Sequence, residues 1–206
     1  MTSTSTNLVR LMAEAADLLE RAGNLDQPLN VAINLQLAAM PDIQVTGPFG
    51  APIAKVRSAF DHLGDILGAK GELKPVADGT YCYQAYTALP SGSTVGLLVL
   101  TPHPDLPTAP PAPRTTTTAR TAALLRALAP WASGLPTSEI CTLRLADHGT
   151  DHSVEITIGG TGANHVRRTA AEAVAAGLPA RLEHRRFGSR GDGILPTGHL
   201  LRITTL

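Results

Sequence analysis

Asp42-Ile43-Gln44-Val45-Thr46 runs into Gly47-Pro48-Phe49-Gly50-Ala51-Pro52, and Val154-Glu155-Ile156-Thr157-Ile158 runs into Gly159-Gly160-Thr161-Gly162-Ala163-Asn164. In both places an alternating, strand-like segment meets a glycine-bearing turn, and an amphipathic helical segment follows. The closing strands also correspond, Thr94 to Leu100 (TVGLLVL) against Gly198 to Thr204 (GHLLRIT). The order repeats, so the chain reads as an internal duplication with a pseudo-two-fold arrangement.

Working outward, Leu8 to Ala22 places Leu8, Leu11, Met12, Ala15, Leu18 and Leu19 at helical spacing. Asn7 is the expected N-cap and Gly23 the stop. Asn30 to Leu37 alternates and pairs with Asp42–Thr46 as a hairpin. A second helix carries Ile53, Val56, Phe60, Leu63, Ile66 and Leu67, and ends at Gly68. Thr80–Leu89 and Thr94–Thr101 form a further hairpin. In the second half, Ala119–Ala129 is a helix that stops or kinks near Pro130. Glu139–Ala146 pairs with His152–Ile158, Asn164–Ala176 is a helix, and Ala180–Phe187 pairs with His199–Leu206 around a Gly-rich loop.

Each half therefore reads α-β-β-α-β-β. The fold class is α+β, with antiparallel sheets and helices packed on one face of each. The expected organisation is a first repeat over 1–101, a connector over 102–114 and a second repeat over 115–206. The connector holds prolines 102, 104, 107, 110, 111 and 113, a density that no helix or central strand survives.

Aromatic residues make up 3% of the chain, so the core must be built from Leu, Val, Ile and Ala. Cys82 and Cys141 are too few for a disulfide framework and read as reduced strand thiols. The N-terminus lacks a signal-peptide pattern, and no apolar run reaches the ~18 residues of a membrane span. The expected location is cytoplasmic. Formal net charge is zero, yet residues 1–112 carry 6 basic and 10 acidic groups and residues 113–206 carry 11 and 7. The halves are thus oppositely charged and can attract each other.

Alternation puts Arg144, Glu155, Arg181, Glu183, Arg185 and Arg202 on one sheet face, opposite Leu143, Leu145, Ile156, Leu182, Leu201 and Ile203. Arg186 and Arg190 crowd the same end. Arg144, Arg181, Arg185, Arg186 and Arg202 are the candidate partner-binding residues. The corresponding face of the first half carries amides instead: Asn30, Asn34, Gln36, Gln44 and Gln84. Gly160, Gly162, His165, Arg167 and Arg168 form a possible anion-binding turn at a helix N-terminus. That turn matches neither GxGxxG nor GxxxxGK[ST]. Asp147-His148 and Asp151-His152 sit on an apparent exposed turn, where no tightly bound metal is expected. No cofactor is implied, and no hydrolase motif of the G-x-S-x-G or H-E-x-x-H kind is present.

The expectation from sequence is a non-enzymatic binding or regulatory module that recognises a protein partner, acidic if the arginines govern, through a sheet face or the surface between the halves. A small-molecule sensor using a cleft between the halves is the alternative. A nucleic-acid binder using the Arg-rich second half is a further one, disfavoured by the shortage of stacking aromatics. Homo-oligomers are compatible with either, and a membrane partner is not expected.

Overall fold

A computed structural model describes residues 3–23, 25, 27–37, 39–48, 51–77, 80–101, 118–147, 152–159, 163–185 and 188–206. The elements, in chain order, are α1 (Ser3–Ala22), β1 (Asn30–Asn34), β2 (Ile43–Thr46), α2 (Ile53–Leu67), β3 (Glu72–Ala77), β4 (Thr80–Ala88) and β5 (Thr94–Thr101). After the connector come α3 (Thr118–Ala132), β6 (Ile140–Asp147), β7 (His152–Ile158), α4 (Asn164–Ala175), β8 (Ala180–Arg185), β9 (Gly188–Ile194) and β10 (Leu200–Thr205). The connector 102–114 lies outside the described residues.

The α+β class holds, with four helices and one mixed sheet of ten strands among the described residues, ordered β3-β4-β5-β2-β1-β6-β7-β10-β9-β8. Three expectations need correction. Each half is α-β-β-α-β-β-β, one strand longer than the sequence suggested. The two expected sheets are one, because β1 pairs antiparallel with β6. The pairing is not wholly antiparallel either: β5 runs parallel to β2, and β10 parallel to β7. Outward from the β1–β6 seam, the order and sense of strands are the same on both sides.

One face of this sheet carries the core. Val31, Ile33, Ile43, Val45, Val95 and Leu97 meet Leu143, Leu145, Val154, Ile156, Leu201 and Ile203 in a single buried cluster. All four helices contribute to that cluster, through Leu8, Leu11 and Leu18 of α1, Phe60 and Leu63 of α2, Leu125 and Leu128 of α3, and Ala171 and Val174 of α4. Burying one Leu or Phe of this kind is worth about 1.5–3 kcal/mol, so the one-sided helix layer dominates stability. α1 packs on α3 and on β1. Arg126 of α3 adds 2.7 Å contacts to both Asp17 and Glu20 of α1, which is how the opposed charges of the halves meet.

Local chemistry explains the strands that sequence patterns missed. β3 carries Pro75 and a register shift between Pro75 and Ala77, so it lacks a clean alternation. β9 was expected to be a Gly-rich loop. It is a strand, paired antiparallel with β10 and β8, and its glycines are there because neighbours crowd them: a Cβ on Gly191 would come 2.4 Å from Leu182 Cδ2, and one on Gly193 would come 2.7 Å from Ala180 Cβ. Asn7 is inside α1 and does not cap it, since the helix begins at Ser3. Its Oδ1 accepts from Arg10 instead.

Cys82 on β4 and Cys141 on β6 are both buried and neither is in a disulfide. Four strand spacings separate β4 from β6, or about 19 Å, which no disulfide spans. Burial pushes the Cys82 thiol up from its ordinary range, opposed by a hydrogen bond at the Val99 backbone.

Candidate functional site: the open face of the sheet

The face opposite the helices has no second layer among the described elements. Strand registers set nine residues in one row across it: Tyr86, Gly96, Gln44, Ala32, Arg144, Glu155, Arg202, Asp192 and Arg181. At the usual strand spacing the row is about 38 Å long.

Its second-half portion alternates in charge. Arg144 lies 3.7 Å from Glu155, Glu155 lies 3.6 Å from Arg202, and Arg202 lies 3.9 Å from Asp192. Arg181 stands across from Asp192 at the outer end. In the adjoining positions Arg185 lies 3.6 Å from Glu183, and Arg190 is paired across from Glu183. Arg181, Glu183, Arg185, Arg190 and Asp192 line a cleft of about 300 Å³. The arginines read from sequence as a cationic patch are therefore interleaved with carboxylates. Each such exposed pair is worth about 0.2–1 kcal/mol, and the face keeps a modest cationic excess.

The first-half portion is neutral and partly apolar. Tyr86 is 51% exposed and Leu100 64% exposed. Tyr86 and Leu98 lean over Gly96, where a Cβ would come 2.9 Å from Tyr86 Cε1 and 3.0 Å from Leu98 Cδ1. The missing side chain lets the Tyr86 ring, Leu98 and Pro41 sit close to the sheet. Burial pushes the Tyr86 hydroxyl up, the Cys82 thiol adds to this, and Lys74 opposes it.

The amide face is different from the expectation. Asn30 and Asn34 are buried. Asn34 Nδ2 donates to the Pro41 carbonyl at 2.7 Å and its Oδ1 accepts from Thr142 of the other half. Gln36 donates to the Ser138 and Thr137 carbonyls, also across the seam. Asn34 and Gln36 thus tie the halves together, Asn30 donates within its own half to the Gly47 carbonyl, and Gln44 and Gln84 remain half-buried on the face.

Other candidates fall elsewhere. Gly160, Gly162 and Arg186 lie outside the described residues. His165 is exposed on α4, Arg167 reaches Asn164, and Arg168 donates to the Arg185 carbonyl at 2.7 Å, which ties α4 to β8. His148 and Asp151 also lie outside the described residues. His152 is not on an exposed turn: it is 6% exposed, bonded to Thr121 Oγ1 at 2.9 Å, with the His199 ring edge-on at 6.2 Å. Among the described residues no three His, Cys, Asp or Glu gather as a metal site. The seam offers no cleft in its sheet layer, since Val31–Asn34 pair directly with Thr142–Leu145. An open depression of about 590 Å³ lies on the helix side between α1 and the β4–β5 turn, against Glu14, Asp17, Arg21, Leu89 and Pro90.

Fold and face together define an α+β protein with a one-sided sheet, helices on one surface and a two-toned open surface on the other. No family model, curated protein or solved structure gives a significant match to the chain. Among the described residues, no helix is long and apolar enough to cross a membrane.

Proposed function

We propose that this protein is a non-enzymatic binding module that recognises a protein partner through the open face of its sheet. The observation that supports this most is the exposure of Tyr86 and Leu100 at one end of the same sheet face whose other end carries an ordered charge ladder. Aromatic and aliphatic side chains of this kind anchor protein interfaces. The ladder sets orientation more than affinity, because its cations are already neutralised in part by Glu155, Asp192 and Glu183. The partner fitting this surface carries an apolar anchor for the Tyr86–Leu100 side and an acidic rim for Arg181, Arg185 and Arg202. The packed seam gives the small-molecule reading no cleft in the sheet layer, and the interleaved carboxylates weaken the nucleic-acid reading.

Capture from native extract tests the proposal. Wild type should retain a discrete protein that a Tyr86→Asp/Leu100→Asp variant loses and an exposed α1 variant, Arg21→Ala, keeps. Equal retention by all three proteins would refute the reading. A submicromolar, salt-dependent shift of DNA or RNA by wild type would replace it with the nucleic-acid one.

A further inference from the structure

The two ends of the sheet are built differently. At one end β3 is defended against pairing: Pro75 removes a donor, the strand is bulged beside it, and Lys74 and Glu72 pair at 2.9 Å along its length. At the other end β8 has no proline and no register shift against β9 from Ala180 to Arg185. Ile194 N–H donates to the Pro179 carbonyl, so by alternation Arg181 and Glu183 also turn their backbone groups toward β9. The N–H and C=O groups of Ala180, Leu182 and His184 then point out of the sheet edge.

We propose that β8 is a self-association edge, where a second copy of this chain pairs antiparallel in the register centred on Leu182 and continues the sheet from ten strands to twenty. The side chains single out that register. Two-fold pairing of an edge keeps helix faces together only when residues of the same face stand opposite each other. Centring on Glu183 would oppose Glu183 to its own copy and Arg181 to Arg185, all like charges. Centring on His184 would leave an overlap of Glu183 to Arg185 alone within the strand. Centring on Leu182 sets Arg181 opposite Glu183 of the second copy, twice. It also sets Leu182 against Leu182 on the helix side, and the bulk of His184 against the small Ala180. The outward backbone groups of Ala180, Leu182 and His184 fall opposite one another and bond. The axis is perpendicular to the sheet, so both open faces end on the same side of the assembly. This inference does not rest on the partner-binding reading. A single short strand per copy makes a small interface, so the dimer is a weak, reversible one.

Sedimentation equilibrium on four proteins tests it: wild type, Arg181→Glu, Glu183→Arg, and the double exchange. Both positions are exposed, and circular dichroism checks that each variant keeps the fold. Wild type should show a reversible monomer–dimer equilibrium. Each single reversal replaces two attractive pairs by two repulsive ones and should weaken the dimer by about tenfold or more. The double exchange should restore it. An equimolar mixture of the two single variants should form a one-to-one heterodimer, because each copy then offers what the other lacks. Effects confined within one chain cannot be rescued by mixing. A monomeric wild type, single variants that dimerise as tightly as wild type, or a mixture that stays monomeric would each overturn the proposal.

Discussion

Val31 of the first half stands directly across from Leu145 of the second, in the antiparallel pairing of β1 with β6. Both are fully buried, in one cluster with the buried residues of α1 and α3. The halves therefore share a core, and neither can bury its seam-facing residues alone. Unfolding should be a single cooperative transition, with Trp131 fluorescence in α3 and whole-chain circular dichroism coinciding. Leu125→Ala, which empties space at the α1–α3 contact, should cost about 2–5 kcal/mol by urea denaturation while keeping one transition. Two resolved transitions would show that the halves fold independently.

Gly191 is a packing requirement. Gly191→Ala would force its new methyl into Leu182 Cδ2 and the Arg181 carbonyl, and backbone cannot yield as a side-chain tip can. A loss of about 1–3 kcal/mol is expected, as for overpacked sites. Arg190→Ala, one residue earlier and pointing to the open face, should change stability by no more than about 0.5 kcal/mol. Equal stability of the two variants would mean that β9 does not lie where the registers put it.

The period-two alternation made some of this legible. Leu201 and Ile203 against Arg202, or Leu143 and Leu145 against Arg144, announce which face is buried, because strand side chains alternate whatever their partners. Strand sense is not encoded that way: nothing in Thr94–Leu100 distinguishes a parallel return beside β2 from an antiparallel one. β9 was hidden because glycine supplies no side chain to alternate, and with it went Asp192, the carboxylate that stands between Arg202 and Arg181 in the row. Asn34 looked like a surface amide because its partners, the Pro41 carbonyl and Thr142, are set by tertiary packing across the seam.

Tyr83 gives the fold an alkaline limit. Its hydroxyl donates to Asp61 and its ring lies under Arg57, with the guanidinium carbon 5.6 Å from the ring centroid. Burial, then the Asp61 hydrogen bond and charge, push it up from 10.0 to about 12, with Arg57 opposing. The protonated form is thus favoured in the folded state. This contribution to stability is full below pH 10 and is lost as pH rises through about 12. In a tyrosinate absorbance titration a component near pH 12 should be present and should be lost in Tyr83→Phe. Tyr83→Phe should flatten the decline in stability across that window. Three tyrosines titrating together near their ordinary value would remove the argument.

Glu155 is the hinge of the charge ladder, since among the described residues it alone touches both Arg144 and Arg202, at 3.7 and 3.6 Å. Glu155→Gln keeps the shape of the side chain and removes the charge between two guanidinium groups on the strands that flank β7. Two weak attractions disappear, and a repulsion between Arg144 and Arg202 is left unscreened. Since all three side chains are partly in water, the loss should be about 0.5–1.5 kcal/mol, well below that of a core cavity. The salt dependence should separate this cause from a packing defect. Added salt shortens the screening length from about 10 Å at 0.1 M to about 3 Å at 1 M, so the variant should recover toward wild type as salt rises. Denaturation of both proteins at low and high salt measures this, and a deficit that stays constant with salt would show that the ladder contributes through packing and not through charge.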